Sequence, residues 1–177
     1  ARRLVPGGLL VTCGEDEGAV RLADSARSEG LRVVTYGRAE RALQAPDVVI
    51  SDVRVEAHGA GASLTWGERS ASLTLRVPGE HNVLNAAAAW VAGIECGLEP
   101  QVIADGLGEF TGAARRFEAR GQVGTRRLFD DYAHHPTEVE AAIREAQVVS
   151  GEGEVSVVFQ PHLYSRTRIF AERFAQA

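Results

Sequence analysis

The chain has 177 residues, of which 45% are apolar and 24% are charged, as is ordinary for a globular protein. Its formal net charge of −5 argues against nucleic acid as the partner, because a phosphate backbone selects a basic surface. No apolar run is long enough to span a bilayer and no signal peptide opens the chain, so we expect no membrane partner. Two cysteines are too few for a disulfide framework or a metal knuckle, which favours a reducing, cytoplasmic location.

Methionine and lysine are both absent, so all 19 basic residues are arginines. Without lysine the chain cannot contain a G-x-x-x-x-G-K-[ST] phosphate-binding loop or a lysine nucleophile. The first residue is not methionine, and a helix predicted over residues 166–177 ends without a glycine or proline signal. We therefore expect this chain to be a piece of a larger protein.

The first half of the chain predicts a βαβ unit. Short apolar runs at residues 9–13, 33–37 and 48–52 predict buried parallel strands, and residues 15–28 predict a helix that Gly30 closes. From residue 53 to 77 the pattern alternates and is broken by glycines, which predicts an antiparallel meander. An alanine-rich helix is expected over residues 81–96, with a buried stripe formed by Val83, Ala87, Trp90, Val91 and Ile94.

The small residues at 111–114 are the best candidate for a domain boundary, with one domain at residues 1–112 and another at 113–177. After the boundary we expect strands at residues 117–120 and 127–132 with a turn between them. A helix at 136–149, a strand at 155–160 and the last helix complete the prediction. We expect a hinge at residues 111–114.

The segment Pro78-Gly79-Glu80-His81-Asn82-Val83-Leu84-Asn85 begins the alanine-rich helix. Asn82 and Asn85 are three residues apart, so both amides face the same way. Asparagine at a helix start often accepts hydrogen bonds from free backbone N–H groups, which is the capping interpretation. An asparagine amide also matches the N6/N7 edge of adenine. The motif alone leaves both interpretations open.

The pair Arg115-Arg116 is followed by Phe117-Glu118. Arginine pairs are often only the solvated end of a strand. A guanidinium is also a planar, permanently charged fork for phosphate oxygens, which could stabilise charge that develops in a transition state. This motif is weak by itself.

The run Asp130-Asp131-Tyr132-Ala133-His134-His135-Pro136 places two carboxylates, a phenol and two imidazoles at one strand-to-helix junction. Open α/β sheets bind ligands at the carboxyl ends of parallel strands. Asp131 could accept from ribose hydroxyls, and His134 could donate or carry a proton. A capped helix start with surface histidines is the simpler interpretation, but capping uses only one or two such groups. We therefore favour a functional site.

The next predicted strand ends in Gln160-Pro161-His162-Leu163-Tyr164-Ser165-Arg166-Thr167. His162 and Arg166 could meet a substrate carboxylate there, with Arg166 as a bidentate donor.

Together the segments PGEHNVLNA, FTGAARRFE, DDYAHHPTEV and FQPHLYSRT resemble the Mur ligase family, the ATP-dependent amide-forming enzymes of peptidoglycan assembly. The paired histidines and the FQPH run are most similar to the branch that joins L-alanine to UDP-N-acetylmuramate. The resemblance is clear from residue 77 onward and weaker before it. It implies an α/β fold: the last part of a central ATPase domain, with βαβ units and a meander, followed by the start of a Rossmann-like C-terminal domain.

The resemblance also implies residue roles. Asn85 would contact adenine, with His81 and Asn82 beside it, and Arg116 and Asp131 would meet the nucleotide. Alanine would be held by Tyr132, His134, His162 and Arg166. We expect Arg116 and His134 to act in catalysis. Leu163 departs from the pattern, since some members carry a second arginine there.

The implied reaction uses ATP to convert a carboxylate into an acyl phosphate, which the amine of L-alanine then attacks. Mg²⁺ would offset the phosphate charge, with the metal ligands and the phosphate-binding loop upstream of Ala1. This chain alone is then expected to be inactive. Two alternatives are a nucleotide-binding or interaction module without catalysis, and a Mur-type ligase of muropeptide recycling.

Overall fold

The computed structural model describes residues 4–177, which form a five-stranded mixed sheet with three helices, followed by a two-stranded sheet with three more. The elements of the first part are β1 (Leu9–Cys13), α1 (Glu17–Ser28), β2 (Arg32–Gly37), β3 (Val48–Glu56), β4 (Gly59–Trp66), β5 (Arg69–Leu75), α2 (Glu80–Glu95) and α3 (Pro100–Gly108). The second part contains β6 (Glu118–Val123), β7 (Arg126–Asp130), α4 (Pro136–Ser150), α5 (Tyr164–Ile169) and α6 (Ala171–Gln176).

The strand order in the large sheet is β1-β2-β3-β4-β5, parallel for the first three strands and antiparallel for the rest. This arrangement confirms the predicted α/β class, with its βαβ unit and its meander. A bulge in β3 lies beside Asp52, whose φ of 52° is in the left-handed region. It bends the strand between its parallel and its antiparallel neighbour.

The main core lies between the large sheet and α2. All five side chains of the predicted stripe are buried, and Trp90 and Val91 are fully so. The Trp90 indole donates to the carbonyl of Pro100 at 2.9 Å, so the one polar atom of this side chain is satisfied where α3 begins. Burying this stripe against β1 to β4 fixes the direction of α2 and the place of its first turn.

The helix ends follow local signals. Asp16 caps α1 by accepting from the backbone N–H of Ala19 at 2.8 Å, so α1 begins at Glu17 and not at residue 15. Gly30 and Gly97 follow α1 and α2 with φ of 77° and 83°, as expected for glycine just after a helix.

Two predictions for the second part are wrong. Residues 155–160 form no strand, because β7 pairs only with β6 within residues 4–177 and the apolar run at 155–159 has no neighbour to complete a ladder. Val158 is fully exposed there. The predicted single helix over residues 166–177 is two short helices, because Phe170 leaves helical geometry with φ −110° and ψ 16°.

The junction after β7 also differs from its prediction, because β7 is antiparallel to β6 and is not a parallel strand of an open sheet. Residues 110–113 have no regular structure, and Gly112 has a φ of 111°. The boundary at 112/113 and the hinge at 111–114 stay predictions.

Candidate functional site

The first turn of α2 lacks a side-chain cap. Gly79 is the N-cap residue, with a φ of 99°. The Asn82 amide donates to the carbonyl of Pro78 at 2.6 Å and accepts from no N–H of this turn. Asn85 is exposed, and no hydrogen bond to its amide is found within residues 4–177. Capping therefore does not account for either asparagine. The N–H of Asn82 donates to the carbonyl of Gly79 at 3.1 Å, while those of Glu80 and His81 have no partner among residues 4–177 and favour an anion or a polar ligand.

Glu80, the first residue of this turn, holds the turn in place through ion pairs with two arginines. Its Oε2 accepts from the guanidinium groups of Arg38 at 2.8 Å and Arg41 at 2.9 Å. Arg38 is only 6% exposed and also pairs with Glu15, which follows β1. Burial by itself would raise the pKa of Glu15 and of Glu80, but the hydrogen bonds and charge of Arg38 lower both below their usual value.

His81 lies where the two parts of the chain meet. Its Nε2 is 3.6 Å from Oε2 of Glu145 on α4, and the Glu145 side chain is 3% exposed. Burial lowers the pKa of His81, the negative charge of Asp131 opposes that effect, and the positive charge of Arg116 adds to it. Asp131 and Arg116 are thus close enough to act on the start of α2.

Arg116 is flanked by strained backbone. Arg115 and Phe117 have φ of 58° and 46°, a region that residues other than glycine rarely adopt. The Arg115 guanidinium stacks over the ring of Tyr132 at 4.4 Å. Arg116 is exposed, and its guanidinium finds no carboxylate or carbonyl partner in the part of the chain that the structure describes. Of the two arginines, Arg116 is therefore the one available to bind an anion.

Asp131 already has a structural role. Its Oδ2 accepts from the N–H of Phe117 at 2.8 Å and its Oδ1 accepts from the N–H of Ala133 at 2.7 Å. The carboxylate thereby ties the loop before β6 to the loop after β7. Each carboxylate oxygen has a second lone pair, so a ribose hydroxyl is a possible further donor.

The start of α4 uses part of the polar cluster for capping. His135 is the N-cap residue, and Oε2 of Glu138 accepts from the N–H groups of His134 at 2.9 Å and His135 at 3.1 Å. Burial would raise the pKa of Glu138, but these two donors hold it below its usual value. The capping interpretation thus explains His135 and Glu138. It leaves the ring of Tyr132 and one nitrogen of His134 unexplained.

The His134 ring is oriented by its own loop. Its Nδ1 lies 2.8 Å from the carbonyl oxygen of Tyr132, which can only accept, so the hydrogen-bond pattern assigns the proton of the neutral ring to Nδ1. The Nε2 atom then carries a lone pair and can accept a proton from a substrate. Arg166 reaches the same place, with Nη1 at 3.5 Å from the carbonyl of His134.

Some of the predicted site residues lie close together in the structure and others do not. His81, Arg116 and Asp131 form one group at the start of α2, and Tyr132, His134 and Arg166 form an adjacent one. His162 is exposed in the irregular segment before α5, next to Leu163 with its φ of 71°. Among residues 4–177 no hydrogen bond or ion pair joins it to either group. A groove of about 460 Å³ beside β5 and α3, lined by Ser72, Gln101 and Asp105 among others, lies away from both.

Four charged residues of this region were not predicted from the sequence: Glu15, Arg38, Glu80 and Glu145. Their partners are distant in sequence, so no local pattern reveals them. The sequence gives a weak indication that Glu145 is buried, because it lies four residues before the buried Val149 on one face of α4.

No group of three or more metal-ligating side chains was found within residues 4–177. Likewise, no helix in these residues is long and apolar enough to cross a membrane.

The family model described as the Mur ligase middle domain matches residues 1–93, more than half of the chain, and the one described as the Mur ligase glutamate ligase domain matches residues 115–177. The chain belongs to the Mur ligase family. This confirms the resemblance found in the sequence motifs.

Two similar proteins are named UDP-N-acetylmuramate–L-alanine ligase. That of Kineococcus radiotolerans is 53% identical over 99% of this chain and 36% of its own length. That of Renibacterium salmoninarum is 51% identical over 98% of this chain and 37% of its own length. The chain thus spans little more than a third of the length of these relatives.

Solved Mur ligase structures have the same fold. The UDP-N-acetylmuramate–alanine ligase of Thermotoga maritima has a TM-score of 0.69 and 29% identity, covering 95% of this chain and 35% of that one. MurF of Acinetobacter baumannii has a TM-score of 0.70 and 25% identity, covering 83% of this chain and 31% of that one.

Proposed function

We propose that the full-length protein containing this chain is an ATP-dependent ligase that joins L-alanine to UDP-N-acetylmuramate in peptidoglycan synthesis. This chain would supply the last part of the central domain and the first part of the C-terminal domain. The observation that carries the proposal is the group at the start of α2, where the charges of Arg116 and Asp131 both act on His81 and no side chain among residues 4–177 caps the helix. The identity of 53% to a relative of that name supports the choice of substrates.

The nucleotide would lie against both parts of the chain. We assign Asn85 to the adenine edge, with His81 and Asn82 beside it, because neither asparagine side chain caps α2. Asp131 would accept from the ribose through the lone pairs left by Phe117 and Ala133. Arg116 would approach the phosphates, since its charge is permanent and has no ion-pair partner among residues 4–177. A ligand with these contacts holds the two parts together.

The proposed reaction has two steps. First, the carboxylate of UDP-N-acetylmuramate attacks the γ-phosphorus of ATP, which forms an acyl phosphate and releases ADP. The L-alanine amine then attacks the acyl carbon, loses a proton, and expels phosphate as the amide forms. Arg116 stabilises negative charge on the transferred phosphoryl group. Mg²⁺ bound outside this chain would supply further charge neutralisation.

The amino-acid side of the site lies around His134. We assign to its Nε2 the proton that the alanine amine loses. The contact of Nδ1 with the carbonyl of Tyr132 supports this role, because it leaves Nε2 with a lone pair. Arg166 would pair with the alanine carboxylate, and Tyr132 would form the wall of the pocket. His162 is proposed only as an outer contact, since it is exposed and lies in irregular backbone.

Phosphate release by the purified full-length protein tests this function. We expect release only when ATP, UDP-N-acetylmuramate and L-alanine are all present, and little release from this chain alone. A much better reaction with glycine or serine would contradict the choice of amino acid. A tripeptide acceptor would indicate a ligase of muropeptide recycling, and nucleotide binding without turnover would indicate a non-catalytic module.

A further inference from the structure

Glu145 has an unusual environment for a carboxyl group. Its side chain is 3% exposed, and its Oε2 is the one buried side-chain polar atom without a hydrogen-bond partner among residues 4–177. Buried polar atoms nearly always have a partner, because leaving one unpaired costs about 1–3 kcal/mol. An exception of this kind requires a specific explanation.

The neighbours of this atom belong to the other part of the chain. Nε2 of His81 lies 3.6 Å away, within ion-pair range but beyond hydrogen-bond range. A methyl group in place of a Gly79 hydrogen would lie 3.1 Å from the same oxygen, so α4 also packs closely on the N-cap of α2. Glu145 thus packs against the turn that carries His81, Asn82 and the free N–H groups.

We propose that Glu145 and His81 together hold one proton in the docked arrangement, and that this jointly held, or shared, proton couples docking of the C-terminal part to nucleotide binding at the start of α2. Glu145 is then a positioning residue that acts through His81. This inference rests on the proposed function for its ligand. The contact itself does not depend on that function.

The charges around the pair are few. Asp131 faces it from the loop after β7, and Arg116 acts on His81 from the loop before β6. Glu80 is occupied by Arg38 and Arg41. Other elements that contact α4 are β3, α6 and β7, whose Arg127 donates to the carbonyl of Val149. Their charged residues are Asp52, Arg54, Glu56, Glu172, Arg173, Arg126, Arg127 and Asp130, and none of these eight shifts the pKa of Glu145 or His81. On α4 itself, Glu138 accepts from backbone N–H groups, while Glu140 and Arg144 pair with each other.

Burial, together with the nearby charge of Asp131, raises the pKa of Glu145 from 4.5 to about 7. The docked arrangement therefore binds this proton more tightly than an undocked one would. The proton on Glu145 contributes fully to docking below the ordinary pKa of 4.5. This contribution decreases as pH rises and is lost above about pH 7. Burial acts oppositely on His81, whose lowered pKa makes protonation of its ring unfavourable in the docked state. A pair that holds one proton in total satisfies both groups.

The consequence for the nucleotide follows from where its contacts lie. Asn85 belongs to α2 and Asp131 to the C-terminal part, so a ligand that touches both prefers the docked arrangement. With a carboxyl pKa of about 7 in the docked state and 4.5 in the undocked state, docking weakens about tenfold between about pH 6 and about pH 8. Nucleotide affinity should follow docking up to this limit.

Calorimetric titration of the full-length protein with ATP at about pH 6 and about pH 8 tests the coupling. We expect affinity to fall up to tenfold in the wild type, and to change much less in Glu145→Gln, which keeps the shape but cannot ionise. Glu140→Gln is the matched control, a half-exposed glutamate on the same helix with 46% of its side chain exposed, and should behave as the wild type. Equal pH dependence in all three proteins would overturn the proposal.

A second measurement separates this inference from the proposed function. Carbon NMR of the 177-residue chain should show the Glu145 carboxyl titrating near pH 7, with the His81 ring shifts changing in the same range. In Glu145→Gln, His81 should lose that step. A carboxyl that titrates at its ordinary value would refute the shared proton, even if ATP binds. Absence of ATP binding with both NMR signals as expected would refute the proposed function alone.

Discussion

The guanidinium of Arg38 donates to both carboxylate oxygens of Glu15, from Nε to Oε1 at 2.9 Å and from Nη2 to Oε2 at 2.5 Å. The Arg38 side chain is 7% exposed and that of Glu15 is 11% exposed. This buried fork connects the loop after β1 to the loop after β2, and its third arm reaches Glu80 at the start of α2. The placement of the candidate nucleotide turn therefore depends on two loops that are distant from it in sequence.

Arg38→Met should lower the free energy of unfolding by about 3–5 kcal/mol, because it leaves Glu15 buried without its counter-charge. Arg38→Lys should recover only part of that loss, since an ammonium cannot reproduce the fork. Urea unfolding of the chain measures both. Arg41→Met, at the exposed pair with Glu80, is the control and should cost no more than about 1 kcal/mol. Equal effects at Arg38 and Arg41 would contradict the burial argument.

The same network should make the free energy of unfolding depend on pH in the acidic range. Arg38 lowers the pKa of Glu15 and of Glu80, so their contribution is complete above the ordinary value of 4.5 and is lost as pH falls through the lowered pKa. We expect the difference in unfolding free energy between wild type and Arg38→Met to shrink from about pH 6 to about pH 3. Urea titrations at several pH values measure it, and a constant difference would show that lost packing is the cause.

Gly79→Ala and Gly97→Ala form a matched pair. Both glycines have positive φ, 99° and 83°, so both substitutions strain the backbone by about 1–2 kcal/mol. At Gly97 nothing lies within 4 Å of the added methyl group, whereas at Gly79 it would lie 2.6 Å from Cε1 of His81. Thermal unfolding should therefore show the larger loss for Gly79→Ala. In the full-length protein, only Gly79→Ala should also weaken ATP binding.

Asn85→Ala in the full-length protein should weaken ATP binding by about 1–3 kcal/mol, the value of a bidentate contact to a base edge, with little effect on stability. The reason is that Asn85 is exposed and has no structural hydrogen bond among residues 4–177. Calorimetry with ATP and with L-alanine measures both affinities, and we expect alanine binding to change less. Unchanged ATP affinity would remove Asn85 from the site.

Asp131→Ala should differ from Asn85→Ala by lowering stability as well, because Asp131 accepts from the N–H groups of Phe117 and Ala133. Each of the two lost charge-assisted hydrogen bonds should lower the free energy of unfolding by no more than about 1.5–3 kcal/mol. Urea unfolding of the chain gives this term, and ATP titration of the full-length protein gives the binding term. If stability fell and ATP affinity did not, Asp131 would have only its structural role.

Local patterns in the sequence predicted much of this protein. The buried stripe of α2, the parallel strands β1 to β3 and the meander each follow from spacing of apolar residues, which acts over a few positions. The motifs around Asn85, Arg116 and Asp131 were sufficient to indicate the family. They were not sufficient to distinguish capping from ligand binding at Asn82, since both interpretations need the same residue at the same helix position.

Residues 155–160 show where local pattern fails. Their β-branched and aromatic side chains favour an extended strand, but a strand is stable only when a neighbour completes its hydrogen bonds, and none lies beside it in the structure of residues 4–177. The start of α4 shows the opposite case, since the helix predicted at 136–149 formed as α4. Its capping box agrees with the simpler interpretation of the junction, which the sequence had not favoured.

The sequence alone thus determined the α/β class, the order of most elements and the family, because these depend on periodicity and on residue types at short spacing. Only the tertiary structure decided which charges meet. Arg38 binds Glu15 and Glu80, 23 and 42 residues away, and Glu145 faces His81 across the two parts of the chain. Such contacts depend on how the helices and strands pack, and burial then sets the energy and the protonation of each charge.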